Sequence, residues 1–183
     1  MIRSDKDDNS ALHKTVQEEV NRKLEHDKDV ERRRKNIVIY KVLEVSTDYV
    51  SDRNASDLAF VTKLLDTVFG LQLDQQSFSR MFRLGKKDDS SATPRPLLVE
   101  FSNLDTKEHV MSNLRNLREA NPPFKGISLA HDLTPWQRAD IKKLVEQAKR
   151  DHSNASSESV ENYIFRVVGQ GASKRVIKVQ RQR

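Results

Sequence analysis

This chain of 183 residues has no cysteine, only five glycines and a single tryptophan, and each scarcity closes off a class of chemistry. Without cysteine there is no disulfide, no thiolate nucleophile and no Cys-based zinc or iron–sulfur site, which fits an intracellular protein. The few scattered glycines leave no Gly-rich phosphate loop, and no G-x-S-x-G nucleophile elbow occurs. The histidines, His13, His26, His109, His131 and His152, stand singly, without a partner at ligand spacing. The expectation is therefore a protein that is not an enzyme and holds no cofactor or metal. The start MIRSDKDDNS is polar where a secretory signal would be apolar, and no run of apolar residues reaches membrane-spanning length.

Acidic residues are missing from one stretch in particular. Residues 162–183 hold Arg166, Lys174, Arg175, Lys178, Arg181 and Arg183 and no Asp or Glu, a formal +6 that equals the net charge of the whole chain. Two further segments are basic: residues 32–41, with Arg32, Arg33, Arg34, Lys35 and Lys41, and residues 76–96, with Arg80, Arg83, Lys86, Lys87 and Arg95. With a pI near 9.5, positive charge gathered in three places suits phosphate, because each neutralised phosphate releases condensed counterions. The plainer alternative is a solvated tail and ordinary surface lysines. Hydrophobic residues make up 36% and charged residues 33% of the chain, so part of it is expected to lie outside any core.

The local pattern predicts a helix over about residues 9–34, where Leu12, Val16, Val20 and Leu24 recur every fourth position among charged neighbours. So thin a stripe is buried by self-association or stays solvated. Strands are expected at Ile37–Val42, Ser77–Leu84, Leu97–Phe101 and Ile127–Ala130. Helices are expected at Ser51–Leu71, with Gly70 as its stop, from Ser102 or Asn103 to about Glu119, and from Thr134-Pro135 to about His152. In the second strand Phe78, Arg80, Phe82 and Leu84 alternate with Ser79, Met81 and Arg83, which predicts a common face for the first four. A linker at residues 153–159 leads to two strands, Tyr163–Val168 and Arg175–Gln180.

The order strand, helix, strand, strand, helix, strand predicts an α+β class: a ferredoxin-like, RRM-like βαββαβ sandwich with an N-terminal helix, a further C-terminal helix and a basic β-hairpin. The corresponding divisions are 1–35 for the N-terminal helix, 36–133 for the sandwich, 134–154 for the helix and 155–183 for linker and hairpin. An ordinary RNA-recognition motif stacks bases on aromatics of its central strands. Here Val38, Pro96 and Leu98 occupy those positions, so that platform is missing. Tyr40 reaches the open face or packs, according to a one-residue register, and Phe101 is expected in the core. Charge at the rim replaces stacking: Arg80, Arg83, Lys86 and Lys87 on the second strand and its exit, and Arg95 between Pro94 and Pro96. Trp136 reads as an anchor for the third helix rather than a base-stacking residue.

The succession Arg33-Arg34-Lys35-Asn36 into Ile37-Val38-Ile39-Tyr40, the exit Arg83-Leu84-Gly85-Lys86, the strand Thr93-Pro94-Arg95-Pro96-Leu97-Leu98-Val99-Glu100-Phe101, and Lys125-Gly126-Ile127 followed by Asp132-Leu133-Thr134-Pro135 with Arg138 resembles the first-open-reading-frame proteins of LINE-type non-LTR retrotransposons. The similarity runs in order over about residues 30–152. It implies an N-terminal coiled coil that trimerises, an atypical RNA-recognition motif and a small basic C-terminal domain. It also implies a nucleic-acid chaperone that coats RNA in a cytoplasmic or nuclear ribonucleoprotein. The family's basic positions carry over best onto Arg95, and then onto Arg33, Arg34, Arg83 and Arg138. The chain departs from the family plan in its irregular N-terminal repeat and its short C-terminal part. The function expected is binding of single-stranded RNA, or DNA, with low sequence preference through Arg33, Arg34, Lys35, Arg80, Arg83, Lys86, Lys87, Arg95, Arg138, Arg166, Lys174, Arg175 and Lys178. The alternative is an assembly module that oligomerises through residues 9–34 without touching nucleic acid.

Overall fold

The computed structural model describes residues 4–88, 93–155, 162–169 and 174–180, with side chains from His13 onward. Arg181 and Arg183, and residues 156–159 of the expected linker, lie outside the described residues. The chain divides into two compact units, Met1–Asp132 and Leu133–Arg183.

The first unit runs α1 (Ser4–Arg33), β1 (Asn36–Tyr40), α2 (Val50–Phe69), β2 (Phe78–Arg83), β3 (Leu97–Phe101), α3 (Leu104–Ser112) and β4 (Ser128–His131). Its strands form one sheet in the order β2-β3-β1-β4, with every neighbouring pair antiparallel. Local chemistry explains the helix boundaries. The α2 helix stops where Gly70 takes a left-handed φ of 67° and donates its N–H to Asp66, a conformation that suits glycine because it has no Cβ. The Asn103 side chain accepts from the Asp105 N–H at the start of α3. Where the sequence predicts one helix to about Glu119, α3 ends at Ser112 and a 3-10 turn, Leu114–Arg118, follows.

One face of the sheet carries the core. Ile37 and Ile39 of β1 and Leu97, Val99 and Phe101 of β3 are buried against Val61, Leu64 and Leu65 of α2 and Val110 of α3, with Phe124 and Ile127 closing the cluster. Alternation along the strands sends Val38, Tyr40, Leu98 and Glu100 to the opposite face. The β2 strand departs from the predicted alternation. A bulge between Phe78 and Arg80 inserts Ser79, so Phe78 pairs with Phe101 while Arg80 pairs with Glu100. An extra residue in one strand reverses the facing of everything before it. Phe78 therefore joins the core, its ring 5.8 Å from that of Phe101, and only Arg80 and Phe82 share the outer face.

The second unit consists of α4 (Pro135–Ser153), β5 (Tyr163–Val168) and β6 (Arg175–Gln180). Thr134 caps α4 in a reciprocal box with Gln137, and Pro135 occupies the first turn, where its missing N–H costs nothing. The β5 and β6 strands pair antiparallel from Tyr163 with Gln180 to Val168 with Arg175.

Candidate nucleic-acid interface

The three basic segments do not present their charges in the same way. At the junction of α1 and β1, Arg33 turns inward: its Nε meets Asp29 at 3.0 Å and its Nη1 meets Asp132 at 2.9 Å. The Asn36 amide donates to the other Asp132 oxygen at 3.0 Å. Hydrogen bonds from Arg33 and then Arg32 hold the Asp29 carboxyl below its ordinary range. Arg34 is exposed and makes a long i,i+3 contact with Glu31 at 3.4 Å, while Lys35 is partly buried and its Nζ reaches the Ser102 carbonyl at 3.3 Å.

Arg83 is withdrawn from the set of phosphate ligands that the sequence proposes. Its side chain is 7% exposed, and all five of its N–H groups are spent inside the fold. They reach both carboxylate oxygens of Asp57 on α2 and the carbonyls of Val42, Leu43 and Arg95. Arg83 thus ties the end of β2 to α2, to the exit of β1 and to the approach to β3. A guanidinium so engaged has no donor left for a ligand.

Arg95 is committed within the fold in the same manner, its Nη1 donating to the Gly85 carbonyl at 3.2 Å. Its Nη2 meets Glu44 at 2.7 Å, its Nε lies 3.1 Å from the same carboxylate oxygen, and its backbone N–H reaches the other oxygen at 2.7 Å. The hydrogen bond from Arg95 is the main reason the Glu44 carboxyl is held low, against the opposing effect of its burial. A phosphate at Arg95 must compete with this bidentate partner. Glu44, Asp88, Arg95, Lys86 and Lys87 line an open basin of about 510 Å³ together with Leu43 and Val45; Lys86 and Lys87 are its exposed cations and Asp88 an exposed carboxylate among them. Lys41 leaves β1 with a left-handed φ of 67°, which costs a side-chain-bearing residue about 1–2 kcal/mol.

On the outer face Arg80 meets Glu100 across the sheet at 2.6 Å while staying largely exposed. In the second unit Arg138 is an exposed residue of α4. The hairpin splits its charges by the pleat. Arg166 and Arg175 share one face, and Lys178 lies on the other, its Nζ 4.3 Å from the centre of the Tyr163 ring. Lys174 precedes β6 and is partly buried.

Sequence reasoning missed the carboxylates that decide these allegiances: Asp57, Glu44, Glu100 and Asp132. Each pairs with an arginine 20 to 99 positions away, beyond the reach of any local pattern. It also missed Phe82, which the bulge leaves on the outer face, 44% exposed. Among the described residues no group of three or more His, Asp or Glu side chains could hold a metal ion, and no helix is long and apolar enough to cross a membrane. No protein-family model matches the chain, and no curated protein matches its sequence.

Proposed function

We propose that this protein binds single-stranded nucleic acid, RNA in the first place, along its phosphate backbone and with little sequence preference, on a sandwich of the RNA-recognition-motif type. The observation that carries the reading is the arrangement of cations at both ends of one sheet, with Arg34, Lys41, Lys86 and Lys87 exposed and Lys35 partly buried. The β1 and β2 strands run parallel to each other on either side of β3. Their starts share the end that bears Arg34 and Lys35, and their exits share the end that bears Lys41, Lys86 and Lys87. A strand laid along the face would meet positive charge where it arrives and where it leaves. The resemblance to retrotransposon first-open-reading-frame proteins extends the proposal to an RNA-coating chaperone in a ribonucleoprotein particle.

The test is binding of a labelled single-stranded RNA followed by fluorescence anisotropy at several salt concentrations. Neutralising about eight phosphates, five at the ends of the sheet and three on the hairpin, predicts a slope of log affinity against log salt of about −5.6, with similar affinity for unrelated sequences. Absence of binding at low salt would refute the proposal.

A second reading rests on α1. Val16, Val20 and Leu24 are 46 to 52% exposed along its length, a stripe that a second or third copy of the helix would cover. In that reading the chain is an assembly module. Sedimentation at high salt separates the two, since hydrophobic association survives where phosphate binding fades.

A further inference from the structure

We infer that Tyr40 and Phe82 are two base-stacking positions on the outer face of the sheet, displaced from the places where a sheet of this kind would ordinarily carry them. The inference rests on the proposed nucleic-acid binding and names the part of the ligand that the sheet itself would hold: unpaired nucleobases. Three observations lead to it. First, cross-strand pairing puts both rings on one face. Phe82 pairs with Leu98 and Leu98 with Val38, and Tyr40 lies two residues beyond Val38 on the same side. Second, the two rings are 40% and 44% exposed, while the aliphatic residues between them, Val38 and Leu98, are buried at 4% and 5%. The accessible aromatic surface of this face is thus at the two rings and not on the strip between them. Third, cations stand at both ends of the strands, and Arg80, paired with Glu100, lies one pleat from Phe82.

Charge decides between occupants. Scattered exposed apolar side chains are ordinary on any surface, but two aromatic rings on one face of a sheet with cations at both ends match a ligand with flat faces strung on an anionic chain. Spacing sets the stoichiometry. Two inter-strand steps of about 4.8 Å and a two-residue offset of about 6.7 Å separate the two Cα atoms by roughly 12 Å. Rings that stack on one another lie about 4.5–7 Å apart, so Tyr40 and Phe82 take two separate bases rather than clamping one. Stacking accepts any base because every base has a π-face, which keeps sequence preference low.

The experiment measures the full-length protein and its Phe82→Leu and Tyr40→Leu variants against two probes of equal length, a single-stranded RNA and an abasic strand that keeps the phosphates. Each leucine variant is expected to lose about five-fold to a hundred-fold in affinity for the base-bearing strand. Its affinity for the abasic strand and its salt slope should stay at the wild-type values. Phe82→Tyr, which keeps a ring, should restore binding and so separate stacking from any damage to the fold. If the wild-type protein binds RNA and the leucine variants bind it equally well, this inference falls and the phosphate-binding proposal stands. An equal loss on both probes would also overturn it, as would a fall in self-association with RNA affinity intact, which would give the face to a second copy of the chain. If the wild-type protein binds neither probe, both readings fall together.

Discussion

Arg83 and Lys86 are three residues apart in a basic stretch, yet they answer to different partners, and substitution should separate them. Arg83→Ala leaves Asp57 charged, enclosed and unpaired and strips donors from three carbonyls. The expected cost is about 3–5 kcal/mol in urea denaturation, the range for breaking one side of a buried pair; a loss under about 1 kcal/mol would mean that solvent replaces the guanidinium freely. Lys86→Ala and Lys87→Ala should change stability by no more than about 0.5 kcal/mol, while each makes the RNA salt slope shallower by about 0.7. The Glu44 carboxyl adds a pH dependence. Its folded-state pKa is depressed below the ordinary value of 4.5, chiefly by the hydrogen bond from Arg95. A depressed carboxyl contributes stability that is present above its unfolded value and lost as pH falls through the lower folded value. Thermal melts from pH 6 down to pH 3 should therefore show wild type and Glu44→Gln differing by a constant amount above about pH 4.5 and converging below it. A difference that persists unchanged into acid would show that the Glu44 carboxylate is not what Arg95 holds.

At the scale of elements, one carboxylate joins α1 to the sheet. Asp132, the residue after β4, receives both Arg33 from the last turn of α1 and Asn36 from the first residue of β1. Asp132→Ala should cost about 1–3 kcal/mol and speed amide hydrogen exchange in the final turns of α1 ahead of the sheet; uniform protection across both elements would show that the joint is held by packing alone. Farther along α1, Val20→Lys places a charge in the exposed stripe. If the helix associates with copies of itself, the sedimenting mass of the full-length protein falls in this variant. The hydrophobic period of α1 was legible in the sequence, as were the cap at Thr134 and the stop at Gly70, while the cap of α3 was narrowed to Ser102 or Asn103, because these are contests among residues within one turn of each other. The β2 bulge was not legible. Nothing near Ser79 forbids plain alternation, and the extra residue is set by the need to bring Phe78 against Phe101 in the core.

Over the whole molecule, net charge is concentrated rather than spread, and the tests of function are ionic-strength experiments. Replacing Arg166, Arg175 and Lys178 together by Gln should make the salt slope shallower by about 2 without weakening the base-dependent part of binding that Tyr40 and Phe82 are proposed to supply. A slope unchanged by the triple replacement would mean that the hairpin does not touch phosphate. The candidate site was only partly legible beforehand. That Arg34, Lys86 and Lys87 are exposed follows from their place in polar junctions. That Arg33, Arg83 and Arg95 turn to carboxylates does not follow from those junctions at all.

By itself the sequence determined the helix and strand content, the α+β class and the concentration of positive charge in three segments. Backbone preference acts over a few residues, and charge is a property of composition. Tertiary structure alone decided which arginines are spent on the fold, which aromatic rings face outward and which cations share an end of the sheet. Those choices depend on side chains such as Asp57, Glu44 and Asp132 that come within hydrogen-bonding distance only after the strands have paired.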